Sequence, residues 1–351
     1  MLGSLGGYAD GAVAWARHAT VHAARQRAVG KWSRAFHAGH VRQSDTLIAG
    51  STMEQRPGSQ SIPSATGDRP TAVGVEGIAR RVTYAILIGL SIANVVWAIG
   101  DWRFHDLITY IDAAQMWVDT GNPYALTERA DDWMLYRYAP WFAALFVPLL
   151  SLPRPVVEIG FSVVIVVASI LAMVPMVRQY GRPALPIALF LGTMLFGIGT
   201  GGNIQPVMVA LLAWTLATRW GPLGIAIAAS LKLTPLLFVL VYAGQREWAK
   251  VATTLLLTAI LLGPIILFDL PAQATTAGPS NSLIHVSVVL WAAVAAASVG
   301  YAAWAAYRVE PTRWLAASVA AVMASPRLIG YDLTMFLAST PHGTRRRHDD
   351  D

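Results

Sequence analysis

The sequence predicts an all-α protein, a polytopic transmembrane helical bundle of about nine spans. Three observations carry that expectation. Of its 351 residues 55% are hydrophobic and only 13% charged, and the mean hydropathy is +0.49, a balance typical of membrane-embedded chains and foreign to soluble domains. Apolar runs follow one another near 82–100, 140–153, 156–177, 184–200, 203–219, 222–243, 250–269, 284–307 and 313–324. Each is long enough, or nearly so, to cross a hydrocarbon core of about 30 Å at about 1.5 Å per residue. Finally, Trp141, Trp214, Trp220, Trp248, Trp291, Trp304 and Trp314 lie at or near the ends of several runs, as interfacial anchors do.

Taken in order, the chain opens with an Arg- and His-rich arm to residue 43 in which Asp10 is the only acid, followed by a Ser, Gly, Pro and Thr-rich linker. Residues 1–78 therefore read as a disordered cytoplasmic region. They contain no apolar core long enough for a signal peptide. The transmembrane domain is expected over 79–338 and a disordered tail over 339–351. Arg80 and Arg81 precede the first run, which places the N-terminus in the cytoplasm and the first large loop outside. The net charge of +6 sits mostly in the arm and in short loops, where it orients the protein or meets anionic lipid headgroups; nucleic acid is not an expected partner. The absence of Cys excludes disulfides, thiolate metal sites and a thiol nucleophile. No metal or cofactor is expected.

The first large loop, Asp101 to Pro140, gathers much of the acid of the chain: Asp101, Asp106, Asp112, Asp119, Glu128, Asp131 and Asp132. Within it, Asp106 to Asp119 has helical spacing, with Leu107, Tyr110, Ile111, Ala114, Trp117 and Val118 on one arc and Asp106, Thr109, Asp112, Gln115 and Asp119 on the other. Gly121-Asn122-Pro123 ends it. This is the pattern of an amphipathic interfacial helix. Asp112 and Asp119 read first as solvated surface acids, whereas Asp106 sits where the chain leaves the first span. Further on, counting nine spans puts Arg178 and Arg182 outside, against the positive-inside rule; a short or re-entrant segment near 184–204 would remove the conflict, and the sequence does not choose between the two paths.

Four polar clusters interrupt the apolar runs. Ionisable groups there cost a few kcal/mol on insertion scales and point to function. In Tyr136-Arg137-Tyr138-Ala139-Pro140, Arg137 has the fork that holds phosphate, or else snorkels at the interface. In Gly201-Gly202-Asn203-Ile204-Gln205-Pro206, Asn203 and Gln205 suit a polar cleft wall, or simply a turn. In Ser230-Leu231-Lys232-Leu233-Thr234-Pro235, Lys232 needs an anionic ligand or a buried aspartate. Ser325-Pro326-Arg327-Leu328-Ile329-Gly330-Tyr331-Asp332 offers a cation, a phenol and a carboxylate, with a structural ion pair as the rival reading. An outward acid that removes a proton, combined with cations for a departing lipid phosphate, fits transfer from a lipid-phosphate-linked donor. No GxGxxG, P-loop, HExxH or GxSxG motif is present.

Four stretches, HDLITYIDAAQMWVDTGNPY (105–124), YRYAPWFAALFVPLLSLP (136–153), GNIQPVMVALLAWTLATRWGPLGIAIAASLKLTPLLF (202–238) and SPRLIGYDL (325–333), together resemble the family 87 glycosyltransferases (the DUF2029 group) of the GT-C class, across roughly 82–337. The resemblance implies a GT-C-type bundle in the plasma membrane and a polyprenyl-phosphate-sugar-dependent hexosyltransferase, often a mannosyltransferase acting on outer-leaflet glycolipid or polysaccharide. It implies a catalytic aspartate just after the first span, at Asp106, with Asp101 and Asp112 as substitutes. Arg137, Lys232 and Arg327 would then bind donor phosphate or lipid, and His105, Asp112, Tyr136, Asn203, Gln205, Tyr331 and Asp332 would line the cleft. Two other readings stand beside it. One is a secondary transporter or lipid carrier, although no internal repeat is visible. The other is an inactive remnant, since the apolar run begun at Leu333–Leu337 stops short and the C-terminus reads as truncated.

Overall fold

A computed structural model describes residues 75–100, 102–125, 135–268 and 281–343. The chain divides into two units, Met1–Pro70 and Thr71–Asp351. The first lies outside the described residues, as do Asp101, Glu128, Asp131, Asp132 and 344–351, and with them most of the expected N-terminal region and tail.

Among the described residues there are helices and no strands. The α-helices are α1 Val75–Gly100, α2 His105–Thr120, α3 Pro140–Ala144, α4 Arg154–Tyr180, α5 Leu185–Thr200, α6 Gln205–Thr215, α7 Gly221–Leu231, α8 Val239–Gly244, α9 Trp248–Leu262, α10 Val288–Tyr307 and α11 Arg313–Met323. Several 3-10 turns join them, and a longer one, Gly330–Ser339, follows α11. Five stretches are long and apolar enough to cross a membrane: Glu76–Gly100, Arg154–Tyr180, Arg182–Thr200, Trp248–Leu267 and Val288–Tyr307. The protein is an all-α polytopic membrane protein. The remaining apolar runs form shorter helices. The run at 222–243 breaks after Leu231, where Lys232 is extended and Pro235 opens a 3-10 turn.

The main core joins α4 to α8, α11 and the Gly330–Ser339 turn around Leu195, Met208, Leu212, Ile225, Phe238 and Leu337. Outside it, α10 meets α11 along Ala302, Ala305, Ala316 and Ala320, small side chains that let helix backbones approach closely where lipid supplies no hydrophobic drive. The outer faces carry Ile86, Val96 and Ile99 on α1 and Ile159, Val163 and Ile170 on α4, all exposed, as side chains facing hydrocarbon are.

The chain passes between two ends of this bundle. At one end, the Asp106 N–H donates to the Gly201 carbonyl, 2.8 Å, and Trp117 meets Phe268, ring centroids 5.8 Å apart. At the other, the Tyr84 hydroxyl donates to the Pro183 carbonyl, 3.1 Å, and Arg178 lies over the Trp214 ring at 5.6 Å. This corrects the expected path. The run at 140–153 does not cross: it folds as a five-residue helix and a 3-10 turn, Val147–Ser151, opened by Pro140 and broken at Pro148. Phe142 and Phe146 pack on Tyr110, so the run stays at the α2 end. Arg178 and Arg182 therefore share the end where α1 begins with Arg80 and Arg81. The conflict with the positive-inside rule disappears, and 184–204 need not be re-entrant, since Arg182–Thr200 is one of the five long apolar stretches.

Candidate active site

Helix α2 is as amphipathic as its spacing suggested, and Gly121, at φ 76°, closes it. Its apolar arc faces protein more than lipid: Leu107, Tyr110 and Ala114 are fully buried, while Val118 is exposed. Tyr110 anchors the contact, its ring against Tyr138, Phe142 and Phe146 and its hydroxyl donating to that of Tyr138, 3.1 Å. Residues around Arg137 are fixed in the same way. Tyr124 donates to the Tyr138 carbonyl, 2.7 Å, and Tyr136 to that of Ala139, 2.8 Å.

The beginning of α2 rests on the turn between α5 and α6. Besides the Asp106 N–H, the Phe104 N–H donates to the Thr200 carbonyl, 3.3 Å. Asn203 joins the two segments. Its Oδ1 accepts the Gln205 N–H that opens α6, 2.8 Å, which leaves its Nδ2 to donate to Asp106 Oδ2, 2.6 Å. This pairing also fixes which way the amide points. Burial pushes the Asp106 carboxyl above the ordinary carboxylate range, and the Asn203 hydrogen bond and the charges of His105 and Arg327 offset part of that rise.

Gly202 makes this approach possible. Its φ is +89°, and a Cβ there would stand 2.4 Å from the Leu107 amide nitrogen. Gly121 has a similar φ, +76°, with nothing within 4 Å of a Cβ. Ala at Gly121 is expected to cost about 1 kcal/mol, the ordinary left-handed penalty. Ala at Gly202 should cost at least about 2 kcal/mol, because backbone must also move. Thermal unfolding of the two variants in detergent measures the difference; equal losses would mean that α2 is not seated on this turn.

The Asp106 carboxylate opens on a cavity of about 370 Å³ whose wall includes Arg137, Asn203, Gln205, Lys232, Arg327 and Tyr331. Lys232 caps α7 at the chain break, where irregular backbone lines a cavity instead of meeting lipid. Its ammonium pairs with Asp332 and lies over the Tyr331 ring at 5.2 Å. Asp332 is 2% exposed, and its Oδ2 accepts the Ile329 N–H, 3.0 Å. Gln205 is equally buried, and its Nε2 has no hydrogen-bond partner. The same holds for Arg327 Nε. The cavity thus sets one carboxylate with a raised proton affinity against three cations and an amide, which is suited to taking a proton while holding an anion.

Residues 136–277 match the sequence model of Glycosyltransferase family 87. The chain is similar to that family. It is also 28% identical, over 200 residues, to the polyprenol-phosphate-mannose-dependent alpha-(1-2)-phosphatidylinositol pentamannoside mannosyltransferase of Mycolicibacterium smegmatis, an alignment covering 52% of this chain and 48% of that protein. The chain thus spans about half the length of that curated relative. No solved structure matches the chain.

The family 87 match takes in Arg137, Asn203, Gln205 and Lys232, while Asp106 and Arg327 reach the same cavity from outside the matched residues. Of the other expected cleft residues, Tyr331 lines the cavity and Asp332 stands behind Lys232. Tyr136 is buried in the aromatic cluster. Asp112 lines a separate pocket with Gln115 and Arg154. His105 precedes Asp106 and acts on it through charge. Sequence reasoning did not single out Thr109, Tyr138 and Ser325, which also line the cavity. For Tyr138 the signal was available in its place beside Arg137.

Proposed function

We propose that this protein is an inverting glycosyltransferase of the plasma membrane, moving a sugar, mannose in the first instance, from a polyprenyl-phosphate donor to a hydroxyl of an outer-leaflet glycolipid or polysaccharide. The observation that carries this reading is the meeting of Asp106 with Arg137, Lys232 and Arg327 in one cavity. Similarity to family 87, and to a relative named for polyprenol-phosphate-mannose dependence, supports the donor.

In the proposed reaction Asp106 accepts the proton of the acceptor hydroxyl. The freed oxygen forms its bond to the anomeric carbon from the face opposite the phosphate, and the bond from that carbon to the phosphate oxygen breaks. The electron pair leaves with the polyprenyl phosphate, whose growing charge Arg137, Arg327 and Lys232 stabilise. The orientation follows the positive-inside rule: Arg80, Arg81, Arg178 and Arg182 belong to the end away from Asp106, which is then the cytoplasmic one.

The test is transfer of labelled mannose from polyprenyl-phosphate mannose to lipid in membranes carrying the full chain. Substrate uptake into vesicles without transfer would favour a carrier and overturn the proposal. Arg327→Gln should raise the donor KM about ten-fold or more, the loss expected for a charge-assisted hydrogen bond worth about 1.5–3 kcal/mol. An unchanged donor KM would remove Arg327 from the phosphate site.

A further inference from the structure

At the opposite end of the bundle lies a second polar cavity, of about 360 Å³, with Tyr242, Gln245, Glu247, Lys250, Arg313 and Trp314 in its wall. Its distance from Asp106 follows from α9. That helix starts at Trp248, beside this cavity, and with its 3-10 extension reaches Leu267 in 20 residues, about 30 Å of rise, where Phe268 meets Trp117 of α2. The two cavities therefore open toward opposite faces of a membrane.

The charges here are unbalanced. Glu247 Oε2 takes up one cation, Lys250, at 2.9 Å, and the Lys250 ammonium also lies over the Tyr242 ring at 5.1 Å. Glu247 also acts on Arg313 through charge, but one carboxylate against two cations leaves the wall with a net positive charge. The Arg313 Nη1 donates to the carbonyl of Glu310, 3.2 Å, and to that of Val309, 3.4 Å, but its Nε is buried with no hydrogen-bond partner. The next residue repeats the pattern. Trp314 is 4% exposed, and its Nε1 is buried and likewise without a partner. A buried N–H without an acceptor is strongly disfavoured, and here two come from consecutive residues at the start of α11, where the helix dipole adds positive potential. Donors and excess positive charge together call for an anion rich in acceptor oxygens. Exposed Trp220, Trp248 and Trp304 on neighbouring helix ends put the cavity at headgroup depth.

We propose that this cavity is a phosphate site, occupied by the phosphodiester of a net-anionic phospholipid in the facing leaflet or by free phosphate. The full chain in detergent tests it by binding alone, so its outcome is separate from that of any transfer assay. Native mass spectrometry compares retention of phosphatidylglycerol with that of phosphatidylcholine, and thermal shift compares inorganic phosphate with chloride at equal ionic strength. Preferential retention of phosphatidylglycerol identifies the lipid source; stabilisation by phosphate identifies the free anion. Arg313→Gln should weaken whichever is seen at least ten-fold. Lys250→Gln, at a side chain one-third exposed, should weaken it several-fold, while Arg154→Gln, at a side chain 59% exposed and paired with Glu158, should leave it unchanged. No preference in either arm, or equal binding by wild type and the Arg313 and Lys250 variants, would overturn the proposal.

Discussion

Asp106→Asn is expected to lower transfer about 10³-fold, within the range of 10²–10⁴ that a positioned general base contributes, while leaving the fold at least as stable. The isosteric amide keeps an acceptor for Asn203 Nδ2, which now donates to Asp106 Oδ2, and it removes a charge that burial disfavours. The sign follows from the raised folded-state proton affinity. The folded state favours the protonated carboxyl, so the stability this group contributes is present at low pH and is lost as pH rises through its folded pKa. Compared by thermal unfolding, wild type should therefore lose ground to Asp106→Asn as pH increases. Catalysis runs the other way, because the base must be ionised. The acid limb of kcat/KM should lie above the ordinary carboxylate range, and Arg327→Gln, which removes a charge that favours ionisation, should move it higher. Full transfer by Asp106→Asn at equal expression, or an acid limb at the ordinary carboxylate position, would end the assignment of Asp106 as base.

How far this site was legible in the sequence depends on how local each signal was. The α2 helix, its start near Asp106 and its stop at Gly121 were readable because spacing and capping are properties of adjacent residues. The surroundings of Tyr110 were not. Its arc read as lipid-facing, yet it is covered by Tyr138, Phe142 and Phe146, which reach it only because the run at 140–153 folds back. Hydropathy counts that run as a span, although Pro140, Pro148 and Pro153 limit its helix to one short turn. Which amide mattered was likewise out of reach. Asn203 and Gln205 are chemically alike and two residues apart, and only the α5–α6 turn gives Asn203 to Asp106 and leaves the Gln205 amide at the cavity. Lys232 kept two partners open, a ligand or an aspartate. The structure joins them, since Lys232 pairs with Asp332, 100 residues on, and still lines the cavity.

That pair should dominate the stability of the cavity wall, and its two members should not be equal. Removing one partner of a buried ion pair costs about 3–5 kcal/mol, because the other charge is left uncompensated. The Lys232 side chain is 26% exposed and that of Asp332 only 3%, so cavity water can solvate an orphaned ammonium far better than an orphaned carboxylate. Asp332→Asn should therefore cost about 2–3 kcal/mol, below the buried range, and its remaining carbonyl oxygen can still accept the Ile329 N–H that begins the Gly330–Ser339 turn. Lys232→Gln should cost about 3–5 kcal/mol, since it strands Asp332 with little beyond that one N–H. Combining the two should recover at least about 1.5 kcal/mol relative to the sum of the single changes, the coupling expected of residues in direct contact. Reversible unfolding of the four proteins in one detergent at neutral pH measures the cycle. Additive losses would mean that the ammonium does not depend on this carboxylate and that Lys232 is held in the wall by packing alone; a larger loss for Asp332→Asn than for Lys232→Gln would mean that cavity water does not relieve the orphaned ammonium.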